Sequence, residues 1–242
     1  MTLAELHYAF KLGMDRIDKA SSEDFNKAEI DWLLNEAQLV FVRRLLNPDS
    51  NSPIRVKGYE QTQHTTDALS SLHIKYPLQP SITPTLLDGV YEIPLNSLQF
   101  EYMQLLRLTA NAEFNSCASS VTLKFTQTDD VSEVLKDPFN APSTDYIPYN
   151  FGRSSANDGS SIYVYPGKYS ILKVNPEYIR YPKRVFFGDY TYIDGTIPAQ
   201  QGLETPEKTH QEIVDIACLL ASLNIENPEY IQLRDRKIST YE

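Results

Sequence analysis

Four histidines, His7, His64, His73 and His210, are the residues of this chain best suited to move a proton or hold a metal near neutral pH. None stands three or four residues from another histidine or from a cysteine, so no helix face offers the paired ligands that start a zinc site. His210, with Asp215 beyond it, supplies half of an acid–base pair and no nucleophile; the plainer reading is a helix residue at a surface or interface. Asp129, Asp130 and Glu133 in "TQTDDVSE" could hold a hard cation, but their spacing is not that of an EF-hand loop, and acids directly after a strand form turns. No GxSxG, Walker A or GxGxxG motif occurs, and nine glycines leave little material for a phosphate cradle. The expectation is therefore no catalytic residue, no cofactor and no metal. Two carboxylates converging from distant segments are the catalytic arrangement that spacing does not reveal.

What the residue types do support is contact. "RYPKRV" groups Arg180, Lys183 and Arg184 beside Tyr181, with Lys168 and Lys173 upstream. These cations either touch an acidic partner surface or passing nucleic acid, or guard a solvated strand edge. The chain has sixteen tyrosines, crowded between Tyr146 and Tyr192. Tyrosine joins a large apolar body to a polar tip, which suits protein interfaces and sugar-binding β-sandwiches, and it also favours strands in general. In "DPFNAPSTDYIP" the residues Pro138, Phe139, Pro142 and Tyr146 read as a stiffened arm or loop through Pro148, since proline lowers the entropy lost on docking.

These residues need elements to position them. Thr2 and Glu5 form a capping box ahead of a stripe through Leu3, Leu6, Phe10, Met14 and Ile17, which predicts a helix ending near Asp18. Ser21 or Ser22 caps a second helix over 23–46 whose apolar residues, Trp32 and Phe41 among them, wrap more than one face, so a second surface must cover it. A loop at 47–53 and a weaker helix at 59–74 follow. From Tyr76 the texture becomes proline-broken and β-rich, and "SSVTLKFTQ" alternates cleanly through Val121, Leu123 and Phe125. Thr205, Pro206 and Glu207 start a last helix with a stripe through Ile213, Ile216, Ala217 and Leu220, and the chain restarts at Asn227. The expected fold is α+β. The terminal helices form a bundle, and an antiparallel β domain, sandwich-like or barrel-like, is inserted between them. Its parts are 1–75 helical, 76–202 β with proline-rich arms, and 203–242 helix and tail packing back.

The 242 residues carry a formal charge of −10, which argues against general phosphate binding. No run of about 18 apolar residues exists to span a bilayer, so no membrane partner is expected. Cys117 and Cys218 read as two buried thiols, and the N-terminus reads as a mature helix kept in a cytoplasm.

Taken in order, "TLAELHYAFKLGMDRIDKASSEDFNKAEIDWLLNEAQLVFVRRLL", "DPFNAPS", "YIRYPKRV" and "TPEKTHQEIVDIACLLASLNIENPEY" resemble a family of virion structural proteins from crAss-like tailed bacteriophages. The resemblance covers nearly the whole chain. It implies a neck, or head-to-tail connector, subunit found in the virion and assembled in the host bacterial cytoplasm. Its partners would be other copies in a homo-dodecameric ring, the portal protein and neighbouring neck or tail rings. Genomic DNA would pass through the lumen without sequence-specific binding, and the acidic charge fits that, because fixed cations would hold phosphates. The alternative is a tyrosine-rich carbohydrate-binding module of a tail or receptor-binding complex.

Overall fold

The computed structural model describes residues 1–17, 25–46, 59–153, 159–191 and 195–224. The expected caps Ser21 and Ser22, the helix start at Glu23, the loop at 47–53 and the restart at Asn227 lie outside them. In chain order the elements are α1 (Leu3–Ile17), α2 (Lys27–Leu46), α3 (Tyr59–Leu69), β1 (His73–Ile74), β2 (Thr85–Leu87), β3 (Val90–Pro94), β4 (Tyr102–Phe114), β5 (Cys117–Phe125), α4 (Val131–Val134), β6 (Tyr146–Arg153), β7 (Ser160–Val164), β8 (Ser170–Arg180) and α5 (His210–Asn224). The fold is mixed α+β and divides into two compact units. Residues before 73 together with those after 181 make one, and His73–Tyr181 make the other. The segment after 181, expected in the β part, belongs to the helical unit because α2 holds it. Val185 N–H donates to Asn35 Oδ1 at 2.7 Å, and Phe187 N–H to Asp31 Oδ2 at 2.7 Å.

In the helical unit, α1 begins with the capping box. Thr2 N–H donates to Glu5 Oε2 at 2.7 Å and Glu5 N–H to Thr2 Oγ1 at 3.3 Å, an arrangement worth about 1 kcal/mol. Leu3, Leu6, Phe10 and Met14 are buried along one stripe. At α2 one half of that device is present: Asn26 N–H donates to Glu29 Oε2 at 2.9 Å. The buried face of α2 carries Ile30, Leu33, Leu34, Ala37, Phe41 and Val42, and also the polar Asp31 and Gln38.

Ahead of α5 stands a short turn, Glu207–Thr209, closed by Thr209 N–H and Oγ1–H on the Pro206 carbonyl at 2.9 and 2.8 Å. Thr205, the expected cap, is buried and its hydroxyl makes no cap bond. α5 packs on both α1 and α2, so its buried face is Ile213, Val214, Ala217, Cys218 and Ala221. The expected stripe through Ile216 and Leu220 is rotated toward Val214 and Cys218. Gly13 permits this approach: a Cβ there would stand 2.7 Å from Cys218 Sγ, and that thiol donates to the Phe10 carbonyl at 3.6 Å.

The other unit is one eight-stranded sheet in the order β1-β8-β4-β5-β6-β7-β3-β2, open and curled into a half-barrel. It is neither a two-sheet sandwich nor a closed barrel. Neighbouring strands are antiparallel except β5 and β6, which run parallel and are joined by a crossover through α4. Asp88–Gly89 and Asn115–Ser116 turn the two tight hairpins, with φ of 48°, 82°, 49° and 64°. Positive φ at both central positions is the primed turn that matches strand twist. β4 pairs with both β5 and β8, and its register shifts against β8 near Tyr102, Leu105 and Asn111 bend it. The apolar core lies on one face and includes Ile93, Leu108, Val121, Leu123, Ile147, Ile162, Val164 and Val174.

Three further expectations are corrected. The helix expected over 59–74 stops at Leu69, and His73–Ile74 pair with Ile179 and Tyr178 of β8. Tyr146–Pro148 are not part of an arm; they begin β6, inside the sheet. Cys117 is exposed at the start of β5, while Cys218 is buried.

Candidate assembly surface

The "DPFNAPS" segment closes on its own aspartate. The Asp137 carboxylate accepts Phe139 N–H at 3.0 Å and Asn140 Nδ2–H at 2.5 Å, and the Asp137 carbonyl accepts Asn140 and Ala141 N–H at 3.2 and 2.8 Å. Pro138 follows Asp137 as the second residue of this turn, where its fixed φ is favoured. The Phe139 N–H, followed by the Asn140 side chain, holds the Asp137 carboxyl below its ordinary value. Tyr146 O–H donates to Asn140 Oδ1 at 3.3 Å and Ser143 N–H to the Tyr146 carbonyl at 3.0 Å. Pro142 packs on Gly167, where a Cβ would stand 3.1 Å from Pro142 Cγ. All these bonds fix a turn that holds the Phe139 ring 90% exposed.

The "RYPKRV" cations do not form one patch within either unit. Arg180 and Tyr181 end β8 in the sheet unit, whereas Lys183 and Arg184 belong to the helical unit. Arg180 lies over the Phe100 ring, 5.5 Å from its centroid, and donates to the Tyr181 carbonyl at 3.2 Å. Tyr181 is at the margin of exposure, its N–H donating to the Glu101 carbonyl at 3.0 Å. Lys183 already has a partner inside the chain: its ammonium is 3.4 Å from Glu204 Oε1 and its N–H donates to Glu204 Oε2 at 2.8 Å. Arg184 is exposed.

On α2 the two aromatic candidates part. Trp32 is 56% exposed, whereas Phe41 is fully buried and is a core residue with no surface to offer a partner. Beside Trp32, Asp31 is a buried hub that sequence reasoning missed. Its carboxylate lies 2.9 Å from His7 Nε2 and accepts Phe187 N–H at 2.7 Å and Tyr190 O–H at 2.6 Å. A His–Asp contact resembles half of a proton relay, but here Oδ1 faces His7 while Oδ2 accepts both Phe187 N–H and Tyr190 O–H and so clamps 187–190 onto α2. His210 is likewise buried, its Nε2 2.8 Å from the Thr205 carbonyl, and not the surface residue expected.

At one end of the sheet unit, Phe125, Tyr149 and Phe151 form a triangle with ring centroids 5.8 to 5.9 Å apart. Burial pushes the Tyr149 phenol up. Next to Phe151 lies an open cavity of about 350 Å³ lined by Tyr102, Phe151, Gly152 and Ser160. On the opposite face Glu92 is buried and accepts Ser161 Oγ–H at 2.8 Å, with Tyr163 in register beside it. Burial, then the Glu92 charge, pushes the Tyr163 phenol up. Among the described residues no cluster of three His, Cys, Asp or Glu side chains could hold a metal, and no helix is long and apolar enough to cross a membrane.

The cavity was missed because Tyr102 is far in sequence from Phe151 and Ser160; the antiparallel β6–β7 pairing joins the latter two, and the parallel β5–β6 pairing brings the β4 end beside them. A scan of the chain against protein-family models found no match, and a search of curated proteins found none either.

Proposed function

We propose that this chain is a non-enzymatic structural subunit of a tailed-phage virion, forming a homo-oligomeric ring in the neck below the portal through which DNA passes. The observation that carries the reading is the Phe139 turn. A segment expected to act by contact is a self-bonded loop that holds a 90% exposed phenyl ring in water. A ring held on a self-bonded turn loses little freedom when a neighbour covers it. Tyr8, Trp32 and Ile197 in the helical unit, and Leu78 and Leu86 in the sheet unit, are further large apolar side chains left in solvent. In this reading the terminal helices form the bundle that stacks on the portal, and the inserted sheet unit meets the neighbouring rings. The dodecameric count follows the portal's symmetry. The net charge of −10 suits a lumen along which DNA slides.

Co-expression with the portal of the same phage, followed by negative-stain microscopy, tests the proposal. Rings of this chain stacked on the portal are expected; a chain that stays apart from portal and neck components removes it. One observation favours the competing reading of a carbohydrate-binding module: aromatic rings stand beside an open cavity. A glycan array decides that reading.

A further inference from the structure

The sheet order ends in β1 and β2, yet one stretch of chain meets both edges. Ile82 pairs with Val174 of β8, its N–H and its carbonyl each bonded to that residue at 2.8 Å, and three residues later Thr85 pairs with Glu92 of β3. Three residues of extended chain reach about 10 Å and neighbouring strands lie about 4.8 Å apart, so residues 82–87 cross the opening of the half-barrel. Tyr91 Oη on β3 and Ser170 Oγ on β8, 3.3 Å apart, make a second tie across it. The approach is pinned by Gln79, which is buried. Its Oε1 accepts Tyr178 O–H and Gln99 N–H at 2.9 Å each, and its N–H donates to the Lys75 carbonyl at 3.1 Å. A second pin is Ser81, whose Oγ–H donates to Asn175 Oδ1 at 2.6 Å. Ile82 is the apolar anchor, packed on the core. Elsewhere the stretch lies in solvent: Tyr76, Leu78 and all of β2 are exposed.

We propose that residues 75–87 are a clasp that opens as one unit while β3 to β8 stay paired, and that, shut, it keeps the β8 edge from adding a strand of a second copy. A stretch held at a few buried points opens at a lower free energy than the strands it lies on. Opening strips the Val174 N–H and carbonyl of their partners, and an unpaired strand edge is a template for another chain. Further along β8 the edge has its own protection, since Pro176 has no N–H and β1 pairs with Tyr178 and Ile179. At Val174 the cover is the clasp.

Ser81 and Asn175 face each other beside the Ile82–Val174 pair, where Cα atoms stand about 4.5 Å apart, within the span of a disulfide. In a Cys117→Ser chain, which leaves only the buried Cys218, the variant Gln79→Ala with Ser81→Cys and Asn175→Cys removes both pins when reduced and locks the clasp when oxidised. Hydrogen exchange of the full chain should show the Ile82 and Val174 amides at least about tenfold faster in the reduced variant than in the Cys117→Ser chain, with Val121 of β5 unchanged. Sedimentation should show species larger than the parent chain forms in the reduced variant, and none after oxidation. Ile82 and Val174 amides that exchange no faster than in the parent would overturn the clasp, and opening without larger species would overturn its hold on the β8 edge. If the reduced variant does not fold, Ser81→Ala removes one pin alone and should speed the same two amides by about fivefold. The two redox states share every other surface, so a ring that fails to form leaves this comparison intact.

Discussion

Replacing Asp31 by alanine asks whether the buried hub holds the segment after residue 181 onto the helical unit. Asp31 is 2% exposed, and its carboxylate meets His7 Nε2 at 2.9 Å, Phe187 N–H at 2.7 Å and Tyr190 O–H at 2.6 Å. Alanine removes the acceptor for the buried His7 ring and for the Phe187 amide, and each donor left unsatisfied costs about 1–3 kcal/mol. Tyr190, half-buried, can turn toward water and is left out of the sum. The two donors together give a loss of about 2–6 kcal/mol. Asp31→Asn keeps one acceptor oxygen and should lose about half as much. The assay is urea denaturation followed by the fluorescence of Trp32, the single tryptophan, which sits on α2 beside the hub. A loss below about 1 kcal/mol for Asp31→Ala would refute the clamp and make His7 and Asp31 candidates for another role.

Phe41→Ala should cost about 3–5 kcal/mol, as truncation of a fully buried ring does, whereas Phe139→Ala should change chain stability by less than about 0.5 kcal/mol; urea curves of the two separate a core ring from a displayed one. Ser116→Gly should stabilise the β4–β5 hairpin by about 0.5–1 kcal/mol, since Ser116 sits at φ 64° where a Cβ is strained; an unchanged melting curve counts against the turn assignment. The Asp137 carboxyl is depressed from its ordinary 3.8, so the turn keeps its bonds above that pH and loses them as pH falls through the lowered folded value. The Phe139 amide resonance should titrate with its midpoint below 3.8; a midpoint at or above 3.8 contradicts the carboxylate–amide bond.

The local rules read well where a side chain answers its immediate neighbours. Thr2 and Glu5 bond as the capping box requires, and Val121 and Leu123 point into the core as alternation requires. They read poorly where tertiary pairing decides. The end of the expected arm, Tyr146–Pro148, reads as extended because Pro148 punctuates it, yet it begins an interior strand, with the Pro148 carbonyl accepting Tyr165 N–H at 3.0 Å. Deleting 138–148 would therefore cut into the sheet as well as the turn, and Phe139→Ala is the cleaner probe. The second helix carried more apolar residues than one face holds, which is true of the structure. Which of Trp32 and Phe41 faced outward depended on α5, whose approach at Gly13 periodicity does not encode. The basic cluster looked continuous in sequence and is split by the unit boundary after Tyr181.

Native mass spectrometry of the intact chain, alone and mixed with the portal of the same phage, bears most directly on the assembly reading. A single closed stoichiometry, twelve copies when seated on a twelve-fold portal, is the expected result. A monomer at every concentration, with the portal present or absent, would contradict it.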